Sequence, residues 1–99
     1  MQVADLKEVL NKGEQVLLLD IREPDEYTAG EKIEGAQNMP MGKVFVEEGK
    51  GNLPKDKKII AICAKGGRCE IVARELSKKG YNIDHLEGGI EAWKKENAV

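Results

Sequence analysis

Lys58-Ile59-Ile60-Ala61-Ile62-Cys63-Ala64-Lys65-Gly66-Gly67-Arg68-Cys69 is the stretch whose reading decides the fold. Ile59 to Ile62 is a short, unbroken apolar run rich in β-branched side chains. Such a run, without polar alternation, reads as a strand covered on both faces, as in a parallel sheet. It ends at Cys63. The six residues from Cys63 to Arg68 then hold two adjacent glycines, a lysine and an arginine. Glu70 to Lys79 takes helical periodicity, carried by Ile71, Val72, Glu75 and Leu76 and stopped at Gly80.

A cysteine is therefore expected at the C-terminal end of a central strand, on a glycine-rich turn, at the start of a helix. Glycines let successive backbone N–H groups turn inward as an anion nest. The helix N-terminus adds partial positive charge at the same point. Lys65 and Arg68 add two full cations. Each of these favours thiolate over thiol, so Cys63 is the expected nucleophile, with a seat for an anion beside it. The plain alternative is a buried structural cysteine that happens to end a strand.

Composition narrows the function classes. The chain has 99 residues, enough for one domain over 1–99 with a modest core. Its formal net charge of −2 gives no basic field for nucleic acid or for an anionic membrane. No apolar stretch approaches membrane-spanning length, and Met1-Gln2-Val3-Ala4-Asp5 does not read as a signal peptide, so the cytoplasm is the expected location. Two cysteines do not make a secreted disulfide scaffold and are expected to rest as thiols.

Outward from the central strand, the rest of the chain alternates. Val3, Leu6, Val9 and Leu10 share a helical face, ended by Asn11-Lys12-Gly13. Gln15 to Arg22 is a second buried strand, closed by Asp20 and Arg22. Ligands of parallel sheets gather at the C-terminal strand edge. Asp20 and Arg22 thus read either as a brace for the cysteine loop, acting indirectly, or as a strand-end ion pair. Glu23-Pro24-Asp25-Glu26-Tyr27 carries helix-start signals. Ala36 to Pro40 reads as a short strand, and Val44 to Val46 as an apolar patch followed by a loop over Glu47 to Asn52. Tyr81 to Leu86 reads as a last strand, and Glu87-Gly88-Gly89 as a tight turn into a helix from Ile90 to Glu96, with Trp93 toward the core. His85, the only histidine, falls within that strand and reads as a partly exposed strand residue. Cys63 then has to be activated by its loop and not by a Cys–His pair. The alternation predicts an α/β domain with a mainly parallel sheet.

Three separated stretches resemble the rhodanese family of sulfurtransferases: Leu18-Leu19-Asp20-Ile21-Arg22-Glu23-Pro24-Asp25-Glu26-Tyr27 with Gly35-Ala36-Gln37-Asn38-Met39-Pro40, the loop Cys63 to Arg68, and Leu86-Glu87-Gly88-Gly89-Ile90-Glu91-Ala92-Trp93. They occur in the family's order and together span nearly the whole chain. The resemblance implies a three-layer domain with a central five-stranded, mainly parallel sheet flanked by helices. It implies that Cys63 takes a sulfane sulfur as a persulfide, and that Ala64, Lys65, Gly66, Gly67 and Arg68 form the substrate-binding loop around it. The donor would be a small anion such as thiosulfate, a polysulfide or another persulfide. The acceptor would be cyanide, a thiol or a protein cysteine. No cofactor, metal, nucleic acid or membrane is implied. The related phosphatases and arsenate reductases have a loop one residue longer, which argues against that chemistry here. A non-enzymatic binding module and a Cys63/Cys69 redox sensor are the other readings.

The chain departs from the family's pattern at four places. Gly30 to Gly35 lacks the usual His and Pro and is a residue longer. Ala64 stands where arginine is frequent, and Glu26 where thiosulfate-specialised members carry arginine. Cys69 stands where serine is common. It reads either as a small space-filling residue or as a resolving thiol that attacks a Cys63 persulfide. Zinc binding by the two cysteines lacks the further ligands a tetrahedral site needs.

Overall fold

The computed structural model describes residues 1–97 of the chain. The elements are α1 (Val3–Asn11), β1 (Val16–Asp20), α2 (Pro24–Ala29), β2 (Gln37–Asn38), α3 (Met41–Gly49), β3 (Lys58–Ile62), α4 (Gly67–Lys78), β4 (Ile83–His85) and α5 (Gly89–Asn97). The strands form one sheet in the order β2-β1-β3-β4, and every pairing is parallel. Among the described residues, no helix is long and apolar enough to cross a membrane.

Side-chain alternation along β3 separates two apolar layers. Ile59, Ala61 and Cys63 join Leu19, Ile21, Val44, Val72 and Leu76 on the α3/α4 face. Ile60 and Ile62 join Val3, Leu6, Leu18, Leu86 and Ile90 on the α1/α5 face. A strand with both faces covered has no polar positions, which is why Ile59 to Ile62 is apolar throughout. The same period of two brings Cys63, two residues beyond Ala61, to the α4 side.

The sheet has four strands among the described residues, not the five implied by the resemblance. The apolar residues of 3–11 and 41–49, outside the four strands, belong to helices. Val3 and Leu6 are buried one turn apart in α1, and Asp5 Oδ2 accepts the Gln2 N–H at 2.9 Å at its start. In α3, Val44 is fully buried while Met41 and Phe45, three residues before and one after it, pack on the same cluster. Residues 47–49, expected in a loop, thus complete α3. Gly42 and Gly49 weaken the helical signal there.

α4 begins at Gly67, three residues before the expected Glu70, so Arg68 and Cys69 lie in its first turn. Its buried stripe is Cys69, Val72, Ala73 and Leu76, at the i, i+3, i+4, i+7 spacing of one helical face. Ile71, expected to pack, is 40% exposed, because it is two residues round from Cys69. β4 is confined to Ile83–His85, shorter than the strand expected over Tyr81 to Leu86.

Candidate active site

Cys63 follows β3 directly, and the chain from it to Cys69 wraps around its sulfur. Cys63 Sγ accepts the Gly66 N–H at 3.0 Å and the Cys69 N–H at 3.4 Å. The Cys69 thiol lies against it at 3.3 Å between sulfurs. Gly66 makes the turn possible: its φ is +103°, and a Cβ there would come within 3.0 Å of the Gly88 nitrogen. The first α-helical bond of α4 runs from Glu70 N–H to Gly66 O at 3.1 Å. The N–H groups of Gly67 and Arg68 precede it and have no partner within the helix.

The opposite side of the loop is held by α5. Ile90 N–H donates to Cys63 O at 2.8 Å, and Glu91 N–H to Ala64 O at 3.0 Å. These bonds turn the two carbonyls outward, away from the sulfur. Gly89 allows them: its φ is +59°, and a Cβ there would sit 2.7 Å from Ala64 O and closer still to Cys63 O. A glycine pair at a strand-to-helix turn permits such a close backbone approach. That its partner is the Cys63–Ala64 peptide is a tertiary contact that no local pattern identifies.

These contacts set the ionisation of the two thiols. The Cys69 thiol donating to Cys63, with the backbone N–H groups of Cys69, Gly66 and Lys65, brings Cys63 down to about 5 against the opposing effect of burial. The same sulfur–sulfur contact, with burial, pushes Cys69 upward. Cys63 is thus the thiolate and Cys69 the proton donor, as a one-proton pair requires. Both residues are buried, Cys63 at 1% exposure and Cys69 at 0%.

A cleft of about 330 Å³ opens on Cys63, lined also by Glu26, Ala64, Lys65, Gly67 and Arg68. The expected loop residues therefore do gather around the nucleophile, and Gly66 contributes from below through its N–H. The two cations differ. Lys65 is exposed at the rim and makes no ion pair among the described residues. Arg68 is held by Glu26 through Nη1–Oε1 at 2.8 Å and Nη2–Oε2 at 2.9 Å. Arg68 donating to it, with the Glu23 N–H, holds the Glu26 carboxyl down at about 2. The sequence marks Glu26 as a departure but does not reveal its partner 42 residues away.

Asp20 and Arg22 do not reach Cys63. They form a buried ion pair, Arg22 Nη2 to Asp20 Oδ2 at 2.8 Å and Arg22 Nε to Asp20 Oδ1 at 3.0 Å. The remaining guanidinium N–H groups donate to Glu31 O at 2.9 Å and Glu26 O at 3.5 Å. The Asp20 hydrogen bonds raise Arg22 further above its ordinary value. The pair thus fastens the segment that carries Glu26 to the end of β1.

His85 stands apart from Cys63 but not from its neighbour. Its Nδ1 lies 3.8 Å from Cys69 Sγ. Parallel pairing aligns His85 with Ala61, two residues before Cys63, and that register brings the ring to the start of α4. The sequence placed His85 in its strand and gave no sign of this neighbour. Among the described residues, no set of three His, Cys, Asp or Glu side chains is placed to hold a metal ion.

Comparison with known proteins matches the fold. The model of the family described as rhodanese-like domain matches residues 2–96. The chain is 34% identical over 96 residues to the putative sulfurtransferase YtwF of Bacillus subtilis, covering 97% of this chain and 90% of that protein. It is 33% identical over 93 residues to the probable adenylyltransferase/sulfurtransferase MoeZ of Mycobacterium tuberculosis, covering 93% of this chain and only 24% of MoeZ. The chain thus spans about a quarter of the length of that relative. A rhodanese-related protein from Thermoplasma volcanium superposes with a TM-score of 0.83 at 35% identity, covering 100% of this chain and 93% of that one.

Proposed function

The chain belongs to the rhodanese-like domain family, and from that membership we propose that it is a sulfurtransferase that carries a sulfane sulfur as a Cys63 persulfide. Relatives named as sulfurtransferases support sulfur transfer in general. The observation that carries the finer reading is the seat of Cys63. Its sulfur receives the Gly66 and Cys69 N–H groups and the Cys69 thiol at the floor of an open cleft.

The reaction has two steps. The Cys63 thiolate attacks the outer sulfur of a thiosulfate, a polysulfide or a persulfide, and the donor leaves with the electron pair of its S–S bond. The terminal sulfur of Cys63–S–S⁻ then occupies the loop, where the N–H groups of Gly67 and Arg68 and the α4 N-terminus meet its negative charge. An acceptor (cyanide, a thiol or a protein cysteine) attacks that sulfur from the cleft and restores the thiolate. Lys65 offsets donor charge at the rim, while the Glu26–Arg68 pair is neutral as a unit. Of the two cleft cations Arg68 is already engaged by Glu26, so less positive charge is left to meet a dianionic donor such as thiosulfate. Asp20 and Arg22 act on this site only through the segment bearing Glu26. Such thiol chemistry requires a reducing compartment, and the cytoplasm is the location we propose.

Cys63→Ser tests the assignment. Sulfur transfer from thiosulfate to cyanide is expected to vanish in that variant, and persistent turnover would refute the role of Cys63.

A further inference from the structure

Cys69 touches both Cys63 and His85, a set of contacts that sulfur loading alone does not require. Cys69 Sγ is 3.3 Å from Cys63 Sγ and 3.8 Å from His85 Nδ1. Cys69 is fully buried and is absent from the lining of the cleft, whereas Cys63 lines it. A sulfur arriving through the cleft is therefore added to Cys63 on the side away from Cys69. Cys69 is left behind the Cys63 sulfur, where an attacking group must stand to expel what was added. A hydroxyl at this position would also donate to the Cys63 thiolate. Only a thiol there can also be oxidised by a sulfur loaded on Cys63.

We propose that Cys69 is a resolving thiol with His85 as its base, so that the site reduces the sulfur it has loaded and releases it as hydrosulfide. This rests on the Cys63 persulfide proposed above. Before loading, the Cys69 proton is held by its contact with the Cys63 thiolate. Loading moves the negative charge from Cys63 Sγ to the outer sulfur and removes that hold. With the ring's own proton on Nε2, His85 Nδ1 then accepts the proton of Cys69. The Cys69 sulfur attacks Cys63 Sγ. The Cys63–Cys69 S–S bond forms, the bond between Cys63 Sγ and the outer sulfur breaks, and its electron pair leaves on the outer sulfur. That sulfur takes the proton from His85 and departs as HS⁻. Cys69 is oxidised and the outer sulfur is reduced, so no external oxidant enters. The sulfurs have to close by roughly 1 Å to reach disulfide length. A small dithiol then attacks Cys63 Sγ at the cleft floor. It leaves as its own disulfide and restores both cysteines.

The test uses the whole chain, without reductant and without oxygen, treated with excess thiosulfate and separately with polysulfide. Intact mass is read for both donors, and hydrosulfide is read for thiosulfate, whose own leaving group is sulfite. Wild type is expected to release about one HS⁻ per chain from thiosulfate and to end ~2 Da lighter, as a disulfide. Cys69→Ser is expected to gain ~32 Da, keep it and release no HS⁻. His85→Gln is expected to reach the disulfide on the order of 10²-fold more slowly. A wild type that holds its added sulfur as long as Cys69→Ser does, with no HS⁻, overturns the inference and leaves the persulfide intact. Wild-type speed in His85→Gln overturns the part given to His85. No mass gain in Cys69→Ser with either donor refutes the persulfide itself, and this inference with it.

Discussion

Glu26 and Arg68 are joined at the mouth of the cleft by two hydrogen bonds, of 2.8 and 2.9 Å, between carboxylate and guanidinium. The arginine that the loop sequence offers to a donor is thus already engaged by α2. The carboxylate that engages it also lines the approach to Cys63. Glu26→Gln is expected to free Arg68 and to lower the KM for thiosulfate by about fivefold, the equivalent of ~1 kcal/mol for a half-exposed pair. Singly charged persulfide donors gain less. Steady-state kinetics with both donor types checks this, and an unchanged thiosulfate KM would contradict it.

Lys65 is the rim cation that makes no ion pair among the described residues. Lys65→Ala is expected to raise the KM for thiosulfate several-fold while kcat changes little, since the side chain meets donor charge and not the reacting sulfur. Raising the salt concentration should narrow the difference between variant and wild type. A loss confined to kcat would show that Lys65 acts on the chemical step instead.

The pH dependence of Cys63 follows from its lowered ionisation, to about 5. Protonation at lower pH removes the thiolate, so alkylation by iodoacetamide should be flat above about pH 6 and fall through half its maximum near pH 5. Cys69→Ala removes the largest favourable contact and should move that midpoint upward. Cys69→Ser, which keeps a donor, should move it less. A wild-type midpoint at the ordinary thiol value of ~8.5 would contradict the electrostatic account.

Gly89→Ala places a methyl group against the carbonyl oxygens of Cys63 and Ala64 at a φ of +59°. Both the conformation and the contact oppose it, and a loss of stability of about 2 kcal/mol or more is expected in urea denaturation. The two α5 hydrogen bonds that turn these carbonyls outward should be lost as well, so sulfur transfer should fall with the stability. A fully stable and active Gly89→Ala would show that α5 does not hold the loop.

Arg22→Met leaves Asp20 fully buried without its partner. Removing one member of a buried ion pair costs about 3–5 kcal/mol. The variant should therefore unfold at much lower urea concentration. Because Arg22 also holds the Glu26 carbonyl, the remaining folded protein should show altered thiosulfate KM. An unaltered urea midpoint would exclude the pair as a strand-end anchor.

The sequence made the central strand and the cysteine loop legible because both are local. Four β-branched or small apolar residues, a cysteine and a glycine pair are contiguous from Ile59 to Gly67 apart from Ala64 and Lys65. The helix α3 was not legible. Gly42 and Gly49 lower its helical propensity, and only packing of Val44 against the sheet decides for it. The fifth strand implied by the resemblance is absent from the described residues, where the apolar spacing in α1 and α3 is helical. The pairs Glu26–Arg68 and Cys69–His85 escaped for a different reason. Each joins separate elements, and the register Ala61↔His85 that brings His85 to Cys69 exists only once the sheet has formed.

The most direct test of the central claim is intact-mass measurement with peptide mapping on Cys69→Ser and Cys63→Ser after treatment with thiosulfate or polysulfide. A gain of ~32 Da located on Cys63 in the first variant, and no stable gain in the second, is the predicted result. Absence of the gain in Cys69→Ser, or an equal gain in Cys63→Ser, would contradict the assignment of Cys63 as the sulfur carrier.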